Sequence, residues 1–232
     1  LNATPDIEAD ENGRKFKVIV TDACNNSTEQ EFTIAKVDAI APEPTSGNEI
    51  LGDWAQSKDF TFTATDKGIG NISIAFNDVK DYELATKDGE TYSRNYRFIG
   101  DVYNPTEAVV FYKDELGNVS TQTVILDKID NTGPTVTGAT LSKDKLSVQA
   151  NDEHPELGEG SGVVKYKYLS SDEKLENPTV TSEWKESNIS EESTIENVSN
   201  IKYIYIVAED AVGNIGEVYE YEVPPLVLSI LS

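Results

Sequence analysis

The sequence has very few of the residues that form disulfides, zinc centres and catalytic triads. Its 232 residues contain one Cys, one His and no Met. A lone cysteine, Cys24, cannot form a disulfide within the chain. A lone histidine, His154, excludes His-rich zinc sites and disfavours a histidine-based triad. Because no Met is present, we expect the sequence to be a processed piece of a longer protein.

Positive charge and long apolar runs are scarce as well. The chain carries 42 acidic and 19 basic residues, for a net charge of −23. Such a surface repels phosphate backbones and anionic lipid, so nucleic-acid partners are excluded. No apolar run approaches the ~20 residues of a membrane span, which predicts no direct membrane insertion. Eleven Tyr, seven Phe and two Trp nevertheless predict a folded chain.

Two motifs recur along the chain with nearly the same period. The first, Asp-x-x-(Gly or Asn)-Asn, begins at Asp22, Asp114 and Asp210, which stand 92 and 96 residues apart. The second, Asp-x-x-x-Pro, begins at Asp38 and Asp130, again 92 residues apart. A unit of this length exceeds the ~20–50 residues of solenoid repeats and favours an array of whole domains.

The residues around the first motif predict a β-hairpin in each unit. Apolar residues alternate in front of the repeated Asp, and this period of two predicts a strand with one buried face. An Asp and a Gly or Asn between two such strands are typical of a tight turn. We therefore expect Val18, Val110 and Ile206 to be buried at equivalent places. We expect Leu116 and Val212 to be buried beside the turns.

The two motifs and the strands between them resemble bacterial immunoglobulin-like repeats, which form stalks in surface proteins of Gram-positive bacteria. The resemblance implies an all-β fold of tandem immunoglobulin-like β-sandwich domains, with no long helix. The implied boundaries are 41–130 and 131–225 for two whole sandwiches. Residues 1–40 would then be the C-terminal hairpin of an incomplete unit, and residues 226–232 an apolar tail.

Both ends of the sequence leave alternatives open. Two strands cannot sustain a fold alone. The strands that complete residues 1–40 therefore lie upstream of this piece, or the hairpin docks on its neighbour. The tail 226–232 is a remnant, the first strand of a further unit, or a strand that adds to the hairpin of another molecule.

Acidic loops indicate a possible calcium site at each junction between units. In a sandwich, the loop that contains Asp152 lies at the same end as the turn at Asp210, and Asp130 arrives there from the preceding linker. Calcium takes six to eight hard oxygen ligands, which carboxylates supply. The matching set one unit earlier is Asp38, Asp66 and Asp114. The alternative is that these aspartates cap turns on a solvated surface.

Aromatic residues offer a route to carbohydrate binding. Tyr203 and Tyr205 share one strand face, opposite the alternating apolar set, and we expect them to be partly exposed. They are either ordinary strand residues or a platform on which a sugar ring stacks.

No pair of carboxylates or of nucleophile and base is identifiable, so we predict that the chain is not an enzyme. The resemblance implies an extracellular, cell-surface or cell-wall location and a structural or adhesive stalk whose partners are neighbouring repeats. The alternative is a carbohydrate-binding or accessory module of a secreted glycosidase, with host or polysaccharide glycans as partners.

Overall fold

All regular elements that the structure describes are β-strands. The computed structural model describes residues 9–10, 14–34, 37–68, 70–188, 194–196, 198 and 201–225. The all-β class is therefore confirmed, and no helix of these residues has the length and apolar character that crossing a bilayer requires. The tail 226–232 lies outside the described residues.

The first four described strands form two separate two-stranded sheets. The first four strands are β1 (Ala9–Asp10), β2 (Arg14–Thr21), β3 (Ser27–Ile34) and β4 (Val37–Asp38). Strands β2 and β3 form a long antiparallel hairpin in which Phe16 is opposite Phe32. Strands β1 and β4 pair separately over two residues each. Among the described residues, β2 and β3 therefore pair only with each other.

The next nine strands form a first sandwich with immunoglobulin-like strand order. They are β5 (Glu43–Pro44), β6 (Glu49–Ile50), β7 (Ser57–Thr65), β8 (Ile72–Phe76), β9 (Glu83–Leu84), β10 (Thr86–Asp88), β11 (Thr91–Ile99), β12 (Thr106–Asp114) and β13 (Val119–Leu126). One sheet has the order β10-β11-β7-β5 and the other β6-β13-β12-β8-β9. These orders match the A-B-E-D and C-F-G sheets of an immunoglobulin-like domain.

The last nine strands repeat this pattern in a second sandwich. They are β14 (Thr135–Ser142), β15 (Lys145–Asn151), β16 (Glu153–His154), β17 (Gly158–Glu159), β18 (Val163–Ser171), β19 (Lys185–Asn188), β20 (Thr194–Glu196), β21 (Tyr203–Asp210) and β22 (Tyr219–Glu222). The two main sheets have the orders β14-β15-β20 and β19-β18-β21-β22. Strands β16 and β17 form a small ladder of their own.

Each sandwich buries apolar side chains between its two sheets. In the first, the rings of Phe62 on β7 and Phe76 on β8 stack at 6.1 Å from opposite sheets. In the second, Leu146 and Val148 on β15 share one core cluster with Ile206 on β21. Full burial of one such side chain contributes about 1.5–3 kcal/mol, so the alternating strands carry much of the stability.

The chain divides into two compact units that interleave in sequence. One comprises Leu1–Ile50, Asp59–Arg97 and Glu107–Ile125, and the other Leu51–Lys58, Phe98–Thr106 and Leu126–Ser232. The second unit therefore includes two short segments that lie in the first sandwich by sequence. The boundaries 41–130 and 131–225 stay a prediction.

The alternating pattern predicts burial correctly only where a second sheet is present. Val110 and Ile206 are fully buried, as expected. Val18 is 39% exposed, so its predicted burial is wrong, because no described sheet covers the hairpin. Leu116 is 51% exposed, because it lies in the turn beyond the strand end, and Val212 is only half-buried.

We expect Val110→Ala and Ile206→Ala each to lower the free energy of unfolding by about 1–4 kcal/mol, because both leave a cavity in a packed core. Val18→Ala is the matched control, since it removes the same methyl groups from an exposed strand. Its effect should stay within about 0.5 kcal/mol. Urea unfolding curves measure all three, and equal effects of Val18→Ala and Val110→Ala would contradict the assignment.

Candidate metal centre

The turn at Asp210 is held by its own carboxylate. One oxygen, Oδ1, accepts hydrogen bonds from the backbone N–H groups of Val212 (2.9 Å) and Asn214 (2.8 Å). The other, Oδ2, accepts one from the side-chain Nδ2 of Asn214 (2.7 Å). The short Asp side chain can reach these donors because they lie only two and four residues further along.

The other two copies of the motif form the same turn. Asp114 accepts from the backbone of Leu116 (2.9 Å) and Asn118 (2.8 Å) and from Asn118 Nδ2 (2.6 Å). Asp22 makes the equivalent bonds to the backbone of residues 24 and 26 and to the side chain of Asn26. The residue before the Asn has positive φ in each copy, +94° at Gly117 and +65° at Asn25, which explains the Gly or Asn there.

The Asn of the turn also binds the chain segment that leads into its sandwich. Asn118 Nδ2 donates to the backbone carbonyl of Asp38 at 3.1 Å, and Asn214 Nδ2 donates to that of Asp130 at 2.9 Å. We call residues 38–42 and 130–134 the leading segments. We call the turn, together with the hydrogen bond from its Asn to the leading segment, the clamp. The clamp explains why the two motifs recur with one period, since each turn holds one leading segment.

The clamp brings three carboxylates together in each sandwich. Asp130, Asp152 and Asp210 each offer an oxygen, and these atoms lie within 4.8 Å of one another. Asp130 is 0% and Asp210 1% exposed. The structure thus places side by side the three residues that the sequence analysis grouped. We call them the second acidic cluster.

The first acidic cluster has the same construction. Asp38, Asp66 and Asp114 place their oxygens within the same 4.8 Å limit, with Asp38 and Asp114 buried and Asp66 half-buried. A glycine passes close to each cluster. A Cβ at Gly68 would lie 1.6 Å from Asp38 Oδ2, and one at Gly160 would lie 2.7 Å from Asp152 Oδ2. A side chain at Gly68 would overlap the carboxylate of Asp38, and one at Gly160 would displace that of Asp152.

Neighbouring donors hold the acids of the second cluster in place. Asp130 Oδ1 accepts from the hydroxyl of Tyr103 and from the N–H of Thr132, both at 3.2 Å. Its Oδ2 accepts from the N–H of Ser161 at 2.7 Å. Asp152 Oδ2 accepts from the N–H of Gly162 at 2.6 Å. The carboxylates are therefore fixed with their oxygens directed toward one another.

Burial and nearby negative charge disfavour the charged form of one acid in each cluster, Asp152 and Asp66. Burial, together with the nearby charges of Asp130 and Asp210, raises the pKa of Asp152 to about 6, against the lowering effect of the Gly162 N–H. Burial likewise raises the pKa of Asp66, with Asp38 and Asp114 adding to the shift. Burial also raises the pKa of Tyr103 beside Asp130. A cation between the carboxylates would relieve this repulsion.

The donor set of both clusters fits a hard divalent cation. Each cluster consists of carboxylates alone, with no His or Cys. Hard oxygen ligands suit calcium or magnesium, whereas zinc prefers nitrogen and sulfur. Several carboxylate oxygens already accept N–H bonds, so water would have to complete the six to eight ligands of calcium.

The structure contradicts our expectation for one of the two tyrosines. The predicted partial exposure of Tyr205 is wrong, since it is 1% exposed. Its ring packs with Trp184 and Val207, and its hydroxyl accepts the N–H of Leu175 at 2.7 Å. Segment 172–184 covers this face of β21, which the strand pattern cannot reveal. Tyr203 is half-buried against the same cluster.

Sequence reasoning missed the role of the turn asparagines. Asn26, Asn118 and Asn214 occupy the same place in all three copies of the motif, and this recurrence could have identified them. Tyr103 was missed as well. No sequence signal marks it, because its contact with Asp130 depends on how segment 98–106 folds.

Comparisons with known proteins find likeness only among solved structures. No family model and no curated protein matches the sequence. A crystal structure of titin domains is 14% identical, with 90% of this chain and 74% of that chain covered and a TM-score of 0.34. DIP-gamma IG1+IG2 is 10% identical, with 79% and 96% covered and a TM-score of 0.35. Fibronectin(III)-like modules of Clostridium thermocellum CbhA are 15% identical, with 76% and 88% covered and a TM-score of 0.23.

The raised pKa of Asp152 predicts a specific pH dependence in the absence of divalent cations. Its stabilising contribution is complete below the ordinary Asp pKa of 3.8 and is lost as pH rises through about 6. Asp152→Asn removes the charge and keeps the hydrogen-bond acceptor. We therefore expect the melting temperature of the variant, relative to wild type, to rise between pH 4 and 7.

Asp22→Asn is the control for this measurement. Hydrogen bonds from Asn26 lower the pKa of the exposed Asp22, so this carboxylate stabilises the fold when charged. Its variant should show no relative gain between pH 4 and 7. Thermal melts in chelator across this range measure both differences, and parallel curves for Asp152→Asn and wild type would contradict the assignment.

Proposed function

We propose that the chain is a non-catalytic structural or adhesive module of an extracellular bacterial surface protein. The observation that carries this proposal is the clamp, which recurs with the repeat and ties each leading segment to the last turn of its sandwich. The feature that both sandwiches share is thus the attachment of the segment that leads into each of them. Neighbouring repeats of the same chain are the proposed partners, and the resemblance of the two motifs supports the cell-surface location.

The clamp suits a protein that bears load along its chain. A pull on the polypeptide reaches each sandwich through its leading segment, which continues directly into β5 or β14. The hydrogen bond from Asn214 to Asp130 is buried. Breaking it leaves one buried N–H of the Asn214 amide and the carbonyl of Asp130 without this bond, at a cost of about 1–3 kcal/mol. The leading segment must therefore overcome this bond before the first strand can peel away.

We propose further that the two acidic clusters bind calcium and so strengthen the clamp. Each cluster joins one acid of the leading segment to the Asp of the turn and to a third acid from another loop. A cation shared by these three would add ionic bonds to the same connection that the Asn makes. Magnesium has the same ligand preference, and its selection over calcium depends on the rigidity of the site.

The carbohydrate-binding alternative loses one of the two tyrosines on which it depended. A stacking platform needs an exposed ring face, and Tyr205 is enclosed by Trp184 and Val207. We therefore keep the structural role as the proposal.

A clamp that bears load should fail at lower force without its asparagine. We expect Asn214→Ala to reduce the force of one unfolding step when the chain is pulled by its two ends, because the variant loses the bonds to Asp130 and Asp210. Asn26→Ala is the matched control, since Asn26 occupies the same turn position in an exposed hairpin. Optical-trap records of the two variants test the proposal. An unchanged force for Asn214→Ala would refute the load-bearing role.

Calcium binding should stabilise the folded chain by mass action. Calcium at about 100 times its Kd would contribute about 2.7 kcal/mol per site, which raises the melting temperature over that in chelator. We expect Asp66→Asn and Asp152→Asn each to remove part of this rise, and the double variant to remove all of it. Asp22→Asn should keep the full rise. Identical wild-type melts in calcium and chelator would mean that the aspartates act as turn caps alone.

A further inference from the structure

The hairpin of β2 and β3 has one apolar face that no described residue covers. Directly opposite residues share a face, so the register places Phe16, Val18, Val20, Phe32 and Ile34 on one side. Val20 is 66% and Phe32 49% exposed. The other side is polar and carries an ion pair between Lys17 and Glu29 at 2.5 Å. We call the first side the apolar face.

The same face is fully covered in the two complete copies of this hairpin. The alternating residues of β12 and β21 hold the places of Phe16, Val18 and Val20, and all of them are buried. These residues are Ala108, Val110 and Tyr112 in the first sandwich and Ile204, Ile206 and Ala208 in the second. What covers them is the opposite sheet, which contains β7 and β11 in the first sandwich and β15 and β20 in the second.

The strand edges of the hairpin also differ from those of its two complete copies. Strand β12 pairs with β8 on the side away from β13, and β21 pairs with β18 on the side away from β22. Among the described residues, β2 has no partner on the corresponding side. A hairpin with one apolar face and open edges is marginally stable at best in water.

We infer that β2 and β3 are the last two strands of a third sandwich, and that their apolar face packs against a sheet formed by chain N-terminal to Arg14. In both complete copies, the covering strands precede the hairpin, within residues 43–99 and 135–196. The turn supports the same assignment, because Asp22 and Asn26 already form the bonds that hold the clamp turn elsewhere.

The size of the apolar face favours a covering sheet in the same polypeptide over a second copy of the chain. Eight residues at ~3.4 Å and two strands at ~4.8 Å give a face of about 27 by 10 Å, or roughly 300 Å². A stable interface buries about 800 Å² on each partner. Association through this face alone would therefore be too weak. A sheet in the same polypeptide avoids the entropy cost of association.

Amide hydrogen exchange tests the inference directly. The 232-residue chain is compared with the polypeptide extended by its native preceding residues to the length of one further repeat. We expect the β2 and β3 amides to exchange near free-peptide rates in the shorter chain. In the extended chain, they should slow by on the order of 100-fold or more, as in β12 and β13.

A pair of adjacent variants distinguishes the two faces of the hairpin. Val18→Asp places a charge on the apolar face, whereas Ile19→Asp places one on the polar face of the same strand. In the extended chain, Val18→Asp should lower the melting temperature of the third sandwich by about 5 °C or more. Ile19→Asp should lower it less, because Phe111, at the equivalent place of β12, is only half-buried. Both variants of the 232-residue chain should melt like the wild type.

Four results would overturn the inference. The gene could encode too few residues before Arg14 for a covering sheet, or the extended chain could leave the hairpin amides unprotected. The 232-residue chain could protect them already as a monomer, which would place the cover within these residues. Light scattering could instead show a dimer that Val18→Asp dissociates, which would make a second copy the partner.

Discussion

The hydrogen bonds between an aspartate and an asparagine four residues later organise both sandwiches. Asp210 accepts two of them from Asn214 and a further bond from the N–H of Val212, and Asn214 Nδ2 also donates to the carbonyl of Asp130. One short motif thereby closes the last hairpin and fixes the segment that leads into the sandwich. It also places the carboxylates of Asp130 and Asp210 beside each other. The acidic cluster is therefore a direct consequence of the clamp.

This arrangement has an electrostatic cost. The chain carries a net charge of −23, and in each sandwich three carboxylates meet with two of them buried. Part of the repulsion is offset by backbone N–H groups, such as those of Ser161 and Gly162. Burial, with the nearby charges of Asp130 and Asp210, still raises the pKa of Asp152 to about 6. A divalent cation between these carboxylates would replace the repulsion with attraction, which is the structural role proposed for it above.

The sequence predicts the strands and turns well, but it does not predict which strand faces other parts of the chain cover. The period of two identifies the buried residues of β12 and β21, because Val110 and Ile206 face an opposite sheet. The same pattern fails for Val18, since burial requires that sheet and a strand pattern does not report it. The predicted exposure of Tyr205 is wrong for the opposite reason. Segment 172–184 covers a strand face that the pattern predicts to be exposed. The grouping of Asp130, Asp152 and Asp210 was predictable, since sandwich topology places their loops at one end.

Side-chain amide exchange of the turn asparagines, followed by nuclear magnetic resonance, tests the clamp most directly. Asn118 and Asn214 donate Nδ2–H both to the turn aspartate and to the carbonyl of the leading segment, and Asn214 is buried. Their Nδ2 hydrogens should exchange far more slowly than those of Asn26, whose turn is exposed. A coupling across the hydrogen bond should also link Asn214 Nδ2 to the carbonyl carbon of Asp130. Equal exchange rates for all three asparagines, without that coupling, would contradict the account.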